Sequence, residues 1–399
     1  LRLSKNTIRL LSASAAVIFV VGILLFFFGE SDEAEVSMPQ EVMVDSGSPA
    51  GGENWPVFRG DTSLSGKAEG TISREPEPAW AFKTDRAVKS SPVINGATVY
   101  IGSADGSVYA IDLSGGMEKW SFDTGAGVEA PPAVVKNSVF VGSSNGSFFS
   151  LDADDGGLQW EYETGAKIFG SATWFERDGS LRIFAGSYDT KLYCFEAQTG
   201  DVLWSFDTGS YVNGAAAITA DGQVIFGSCD GMLYIIDIEE GDIIGQIDTD
   251  SYIAGSPAVV EGYVFAGTMG GAMTCVDLSQ EKVLWEYEGR DAFYSSPAVS
   301  SGRVVIGSQD SSVYCLDQAS GELLWEFKTQ GKIDASPVIC GDKVVVGSAD
   351  GRIYMIDLNN GSEFWSYTIG RAVMSSAAIA QGMLVVGSDD GVVYAFNLY

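Results

Sequence analysis

From residue 79 to the C-terminus, short apolar runs alternate with clusters of Gly, Ser, Asp and Asn. Runs of a few residues rich in Val, Ile, Tyr and Phe, bounded by turn formers, read as β-strands. One run recurs eight times: IGSADGSVYAID from Ile101, VGSSNGSFFSLD from Val141, AGSYDTKLYCFE from Ala185, FGSCDGMLYIID from Phe226, AGTMGGAMTCVD from Ala266, IGSQDSSVYCLD from Ile306, VGSADGRIYMID from Val346 and VGSDDGVVYAFN from Val386. Successive motif glycines (Gly102, Gly142, Gly186, Gly227, Gly267, Gly307, Gly347, Gly387) stand about 40 residues apart, the length of a four-stranded propeller blade. The one long step falls at residues 175–182 (FERDGSLR), where a surface hairpin absorbs the surplus.

Each repeat predicts four strands: an apolar one after a Ser/Ala-Pro-Ala motif, a second ending in Gly-Ser, a third carrying Tyr and a fourth carrying Trp. The pairs Asp105-Gly106, Asn145-Gly146, Asp230-Gly231, Asp350-Gly351 and Asp390-Gly391 suit a two-residue hairpin with positive φ. Trp120, Trp160, Trp204, Trp285, Trp325 and Trp365 recur at one place in the fourth strand, as expected of rings that fasten one blade to the next. Gly245 takes that place in one repeat, and Gln280-Glu281 replaces the usual turn glycine nearby, so the interface between Gly245 and Trp285 is expected to be the weakest. The last repeat stops at Tyr399 without a fourth strand, while Trp80-Ala-Phe-Lys-Thr supplies one near the start. The first strand should therefore complete the last blade, giving an all-β, eight-bladed propeller without an open edge.

Residues 10–28 (LLSASAAVIFVVGILLFFF) contain no charge. At about 1.5 Å per residue they span roughly 28 Å as a helix, enough to cross a bilayer. Arg2, Lys5 and Arg9 precede them and Glu30, Asp32, Glu33 and Glu35 follow. The positive-inside rule then keeps residues 1–9 cytoplasmic and sends the remainder across, into the periplasm or extracellular space. A single uncleaved transmembrane anchor fits this length better than a cleaved signal, whose apolar core is shorter. Residues 29–53, polar and acidic, read as a flexible tether leading to a folded region at 54–399.

Composition removes several chemistries. With 23 Lys+Arg against 53 Asp+Glu the net charge is −30, and there is no histidine. Triads and dyads that need imidazole are excluded, and so strong an acidity disfavours nucleic acid as a partner. Of the five cysteines, Cys194, Cys275 and Cys315 share the third-strand position of Ala110 and Ser150 and read as small core residues, whereas Cys229 and Cys340 are expected in turns. The turn aspartates lack the ligand spacing of a calcium loop. No catalytic residue, cofactor or metal ligand is assigned.

The Tyr109-Ala-Ile-Asp…Gly…Trp120 pattern, Ser90-Ser91-Pro92-Val93 and the opening Trp55-Pro56-Val57-Phe58-Arg59-Gly60 resemble the PQQ-like (quinoprotein-type) eight-bladed propellers across residues 54–399. The rival WD40 pattern is absent, since there is no His and no Trp precedes Asp. The resemblance implies one of two branches: quinone-dependent dehydrogenases, or non-catalytic propellers similar to the outer-membrane assembly factor BamB. The dehydrogenases are longer, build a quinone and calcium pocket from inserts, and often carry adjacent cysteines; this chain has none adjacent. The resemblance therefore implies a monomeric, non-catalytic scaffold for protein partners, with an envelope-assembly role expected. A quinone-dependent dehydrogenase, or a propeller for ligand sensing or adhesion, is the alternative.

Comparing repeats within the chain exposes a variable position. The residue three before the first-strand Pro or Ala is Lys89, Glu129, Phe169, Asn213, Ala254, Tyr294, Asp334 or Met374, and two residues earlier stand Ala87, Gly127, Lys167, Tyr211, Tyr252, Ala292, Lys332 and Ala372. The residue between is always Val, Ile or Phe. Alternation directs the variable pair to the mouth of the central channel. The candidate partner-binding set is Lys89, Glu129, Lys167, Phe169, Tyr211, Asn213, Tyr252, Tyr294, Lys332, Asp334 and Met374, a mixture of aromatics and charges typical of recognition surfaces. The plain alternative is loop drift without function.

Overall fold

A computed structural model describes residues 50–399; the anchor expected at 10–28 and most of the tether lie outside the described residues. The described chain is all β: eight antiparallel four-stranded sheets, one of them extended by a fifth, two-residue strand. In chain order the blades span residues 93–123, 133–163, 173–207, 217–248, 258–288, 298–328, 338–368 and 378–397, numbered 1 to 8 from here on. The eighth is completed by Glu77–Lys83, which pairs antiparallel with Val392–Asn397 and places Trp80 opposite Ala395. The sheet so closed has no free outer edge at the chain terminus, as the sequence predicts. The surplus residues of blade 3 lie in its first hairpin, where Thr173–Arg177 pairs with Ser180–Gly186.

Two repeated contacts join the blades. The first is made by the apolar residue at the start of each unit. Val88, for example, lies so close to Gly387 of blade 8 that a side-chain carbon there would be 2.5 Å from its Cγ1; Val128 and Ile168 likewise abut Gly102 and Gly142. This explains why the motif residue is glycine in all eight repeats: the next blade's innermost side chain occupies the space. The second is the tryptophan. The indole Nε1 of Trp80, Trp120, Trp160, Trp204, Trp285 and Trp325 donates to the carbonyl of Leu113, Ala153, Ala197, Ile238, Gln318 and Leu358 on the following blade. Each ring lies flat on a turn glycine, Gly116 under Trp80 and Gly361 under Trp325. Trp365 packs edge-on against Phe396 of blade 8, with ring centroids 5.6 Å apart.

Where the tryptophan is missing, so is the glycine. Gly245 is buried beneath the carboxylate of Glu281, whose own backbone is left-handed at φ 50°. One pair of substitutions thus swaps ring-on-glycine for glycine-under-glutamate.

The turn aspartates are structural. Asp105, Asp189, Asp230, Asp310, Asp350 and Asp390 each accept the hydroxyl of the third-strand tyrosine four residues on. Burial and that bond push the hydroxyls up, Tyr109 and Tyr354 to about 12. All five cysteines are free. Cys340 departs from expectation: it ends the strand Val338–Cys340 and is fully buried, because the N-terminal segment covers that strand.

That segment is the largest feature the repeat pattern did not reveal. Residues 50–68 run around one end of the channel and touch every blade. Carbonyls of Trp55, Pro56, Thr62, Ser63, Ser65 and Gly66 accept the N–H of Ile94, Val134, Ile218, Val259, Val299 and Ile339, at 2.7–2.9 Å. These belong to the innermost strands of blades 1, 2, 4, 5, 6 and 7. Ala50 and Gly52 do the same for Gly382 and Gln381 of blade 8, and Val57 packs among Ala172 and Ile183 of blade 3. Lys67–Ala68 adds a parallel strand beside Ile339–Cys340. Inner strands would otherwise present unpaired N–H groups to the channel; the belt satisfies them. Ala50–Glu53, assigned from sequence to the tether, are part of it.

Candidate functional site: the open mouth of the channel

The innermost strands bring the sequence-assigned residues together at one end. Val88, Val128, Ile168, Val212, Ile253, Phe293, Ile333 and Val373 are buried between blades, and this turns their neighbours on either side toward the opening. On blades 1, 2, 4, 5, 6 and 7 the belt pairs with the innermost strand five residues beyond the variable residue (Lys89 to Ile94, for example), at most about 17 Å of extended chain from the mouth. One end is therefore open and the other covered.

The mouth is divided by chemistry. On blades 3 to 6 it is aromatic. Tyr188 stacks on Tyr211 at 4.6 Å with planes 6° apart, and Phe169 meets Tyr188 edge-on at 5.1 Å. Lys167 Nζ stands 5.8 Å from the Phe169 ring centroid. The Tyr188 hydroxyl donates to Asn213 Oδ1 at 2.5 Å, and the Asn213 amide donates to Ala254 O of the next blade at 2.6 Å. Burial lifts the Tyr188 hydroxyl to about 12. Tyr211, Tyr252 and Tyr294 continue the arc and are 49%, 55% and 41% exposed.

On blades 7, 8, 1 and 2 the mouth is charged. Lys332 pairs with Asp334 at 3.0 Å, and Gln309 of blade 6 also donates to Asp334. Lys89 and Glu129 face each other across blades 1 and 2 at 3.6 Å. Asp389 lies between these pairs in sequence order around the ring; its Oδ1 is buried without a partner among the described residues, and burial raises its carboxyl above the usual aspartate range, the charge of Lys89 opposing. Met374 reaches the channel wall beside them.

Tyr188, Gln309 and Asp389 were not among the sequence-assigned residues. They share one position, directly after the Gly-Ser of the second strand, filled elsewhere by Ala104, Ser144, Cys229, Met269 and Ala349. Its N–H bonds back to the mouth segment, as from Tyr188 to Lys167 O and from Asp389 to Ala372 O. Its variability among repeats was the available signal.

Below the mouth lies a cavity of about 160 Å³, lined by Phe58 of the belt, by Phe169, Asn213, Tyr294, Asp334 and Met374, and by a ring of serines. The N–H groups of Ala215, Ser256, Ser296, Ser336 and Ser376 donate to Oγ of Ser256, Ser296, Ser336, Ser376 and Ser91, each on the next blade. A quinone with calcium does not fit here. The volume is below the several hundred Å³ of sites for such ligands. The carboxylates of Glu129 and Asp334 are engaged by Lys89, Lys332 and Gln309, and among the described residues no three His, Cys, Asp or Glu side chains converge as a metal site.

These features define an eight-bladed propeller of the PQQ-repeat type, open at one end of its channel and belted at the other. The sequence profile of the outer membrane protein assembly factor BamB matches residues 68–177, 177–251 and 230–399, and the chain belongs to that family. The fold resembles that of BamB from Moraxella catarrhalis, with a TM-score of 0.71 and 19% identity over 81% of this chain and 98% of that one. It equally resembles a computationally designed propeller, Ika8 (TM-score 0.70, 20% identity, 80% and 99% covered). The quinohemoprotein alcohol dehydrogenase of Comamonas testosteroni shares it too (TM-score 0.75, 14% identity, 87% and 80% covered). Likeness at these identities speaks for the fold alone. No curated protein matches in sequence. No helix among the described residues is long and apolar enough to cross a membrane.

Proposed function

We propose that this chain is a non-catalytic scaffold, anchored through residues 10–28 and presenting its propeller outside the cytoplasm, that captures a protein partner at the open mouth. The observation that carries the reading is the arc of Tyr211, Tyr252 and Tyr294, large rings left exposed at two positions that vary among the repeats: Tyr211 and Tyr252 where other repeats hold Ala, Gly or Lys, and Tyr294 where they range from Ala to Lys and Asp. Rigid aromatics with an adjoining charged rim are what interface centres use. Membership of the BamB family supports a role in assembling envelope proteins. The absence of imidazole and the engagement of Glu129 by Lys89 and of Asp334 by Lys332 and Gln309 support a non-catalytic role.

The test is capture from intact cells by cross-linking and mass spectrometry, comparing the wild type with Tyr252→Ala combined with Lys332→Glu. Loss of one protein from the captured set is the expected result; an unchanged set removes the mouth from consideration. The second reading, a quinone-dependent dehydrogenase, rests on the shared fold, and dye-linked alcohol oxidation after addition of quinone and calcium would establish it.

A further inference from the structure

The outermost strand of every blade is paired on one side and open on the other, and an open edge is a template for another chain unless the sequence protects it. Lys83, Lys119, Lys282 and Lys328 protect the outer strands of blades 8, 1, 5 and 6, and Pro78 adds to this on blade 8. The outer strand of blade 4, Ile243–Asp248, reads IIGQID and has neither lysine nor proline. Its Ile243 and Ile244 are 48% and 45% exposed. The outer strands of blades 2, 3 and 7 also lack lysine, but none exposes two adjacent large apolar residues; Leu323 and Leu324 of blade 6 do, on a strand that Lys328 closes. From Ile244 on, exposure alternates with the buried Gly245 and Ile247, so Ile244, Gln246 and Asp248 form one open row along the edge.

Charge selects the occupant of this edge. Residues 192–281 contain fourteen Asp and Glu and no Lys or Arg, whereas the next longest cation-free stretch within 50–399, residues 137–166, is 30 residues long. Blade 4 lies wholly inside the acidic stretch. Arg177 and Arg182 reach in from blade 3, and both go to Glu239. At the two ends of the edge Glu240, Asp242, Asp248 and Asp250 are exposed and enter no ion pair among the described residues. A second copy of the chain would bring these acids against their own kind, and an anionic lipid surface is repelled in the same way. A cationic strand meets the open backbone, the isoleucines and the acids together. We infer that the outer edge of blade 4 docks an extended, cationic segment of a protein partner, which adds to Ile243–Asp248 as a further strand and sets an apolar side chain beside Ile244 and a lysine or arginine beside Asp248. This surface is on the outside of the ring, and the channel mouth is on its inside, so the two are separate.

The probe is a short peptide of alternating lysine and valine, labelled and titrated with the full chain by fluorescence anisotropy at constant ionic strength, with an alternating glutamate and valine peptide as control. The cationic peptide should bind saturably and slow hydrogen exchange in Ile243–Asp248, and the acidic one should not bind. Ile244→Lys combined with Gln246→Lys gives blade 4 the lysines that other edges carry and should weaken binding about tenfold. Ala79→Lys combined with Ala81→Lys puts the same two charges at the equivalent exposed places on blade 8 and should leave binding nearly unchanged. Should the blade 4 variant fail to fold, the exchange measurement on the wild type decides alone. The inference is overturned by any of four results: no saturable binding, equal weakening by both variants, binding of the acidic peptide, or protection spread over all the outer strands. Dimers in sedimentation of the free protein, with Ile243–Asp248 already protected, would make a second copy the occupant and overturn it too. Lys332→Glu, at the mouth beside blade 7, should leave peptide affinity unchanged, so this surface and the scaffold reading fail separately.

Discussion

Restoring a tryptophan at Gly245 tests the account of how blades are fastened. At the equivalent positions Trp120, Trp160 and Trp325 are only 8%, 9% and 8% exposed, so nearly the whole indole is removed from water. At about 25 cal/mol per Å² over roughly 200 Å² the ceiling is about 5 kcal/mol, with about 1 kcal/mol more from the Nε1 bond. Ordering the ring and displacing what now fills the slot reduce this to about 2–4 kcal/mol. What fills it is Glu281, whose Oε2 would lie 2.5 Å from the first side-chain carbon at Gly245. Gly245→Trp alone must therefore expel the glutamate and press on a residue with φ 50°, and its stability should equal or fall below that of the wild type. Glu281→Gly alone relieves a left-handed backbone worth about 1 kcal/mol, but it empties the slot and adds freedom to the unfolded chain. The double variant should place the ring on glycine, with Leu278 O as the acceptor by analogy with Leu113 and Leu358. Urea unfolding of the four proteins gives the coupling, expected at about 2 kcal/mol or more. Hydrogen exchange in the strand Ile243–Asp248 should be fast in the wild type and slow in the double variant. Additivity within about 0.5 kcal/mol, or a single Gly245→Trp protein as stable as the double, would refute the reasoning.

Asp389→Asn should stabilise the propeller at neutral pH. Burial lifts the native carboxyl above the ordinary aspartate value of 3.8, so its charge is disfavoured in the fold; the gain should shrink as pH falls and vanish below 3.8, where both folded and unfolded forms are protonated, as read from unfolding midpoints against pH. Glu326, held down to about 2 chiefly by Arg290 Nη1 and Nη2 at 2.5 and 2.8 Å, works in the opposite sense: the stability it lends is present above 4.5 and is lost as pH falls toward 2, so Glu326→Gln should flatten that part of the acid limb. Trp80→Ala removes the ring that fastens blade 8 to blade 1 and should cost about 3–5 kcal/mol in urea unfolding, more than loss of any one exposed mouth tyrosine.

The repeat made most of the architecture legible in the sequence. Eight copies of one motif fix the number of blades, the Asp-Gly turns fix the hairpins, and a missing last strand with a matching first one fixes the closure. Each is a local demand: a hairpin needs positive φ, a strand needs alternation, an edge needs a partner. The variable residues at the mouth were found the same way, since positions that differ among otherwise equivalent repeats are free of architectural duty. Tyr188, Gln309 and Asp389 escaped because they lie inside the motif, directly after its Gly-Ser, about 20 residues from the mouth segment, and only the ring geometry brings them beside Phe169, Asp334 and Lys89.

What the chain order alone determined is the part that each blade repeats for itself. Tertiary structure decided what depends on the closed ring as a whole. Residues 50–68 carry no periodicity, because a single strand that visits eight blades in one circuit meets each of them only once. The channel's covered end and the burial of Arg59 and Cys340 follow from that circuit. So does the exchange at Gly245 and Glu281, 36 residues apart, which reads as two unrelated lapses until blade 5 is set against blade 4 and the carboxylate is seen to occupy the space an indole fills elsewhere.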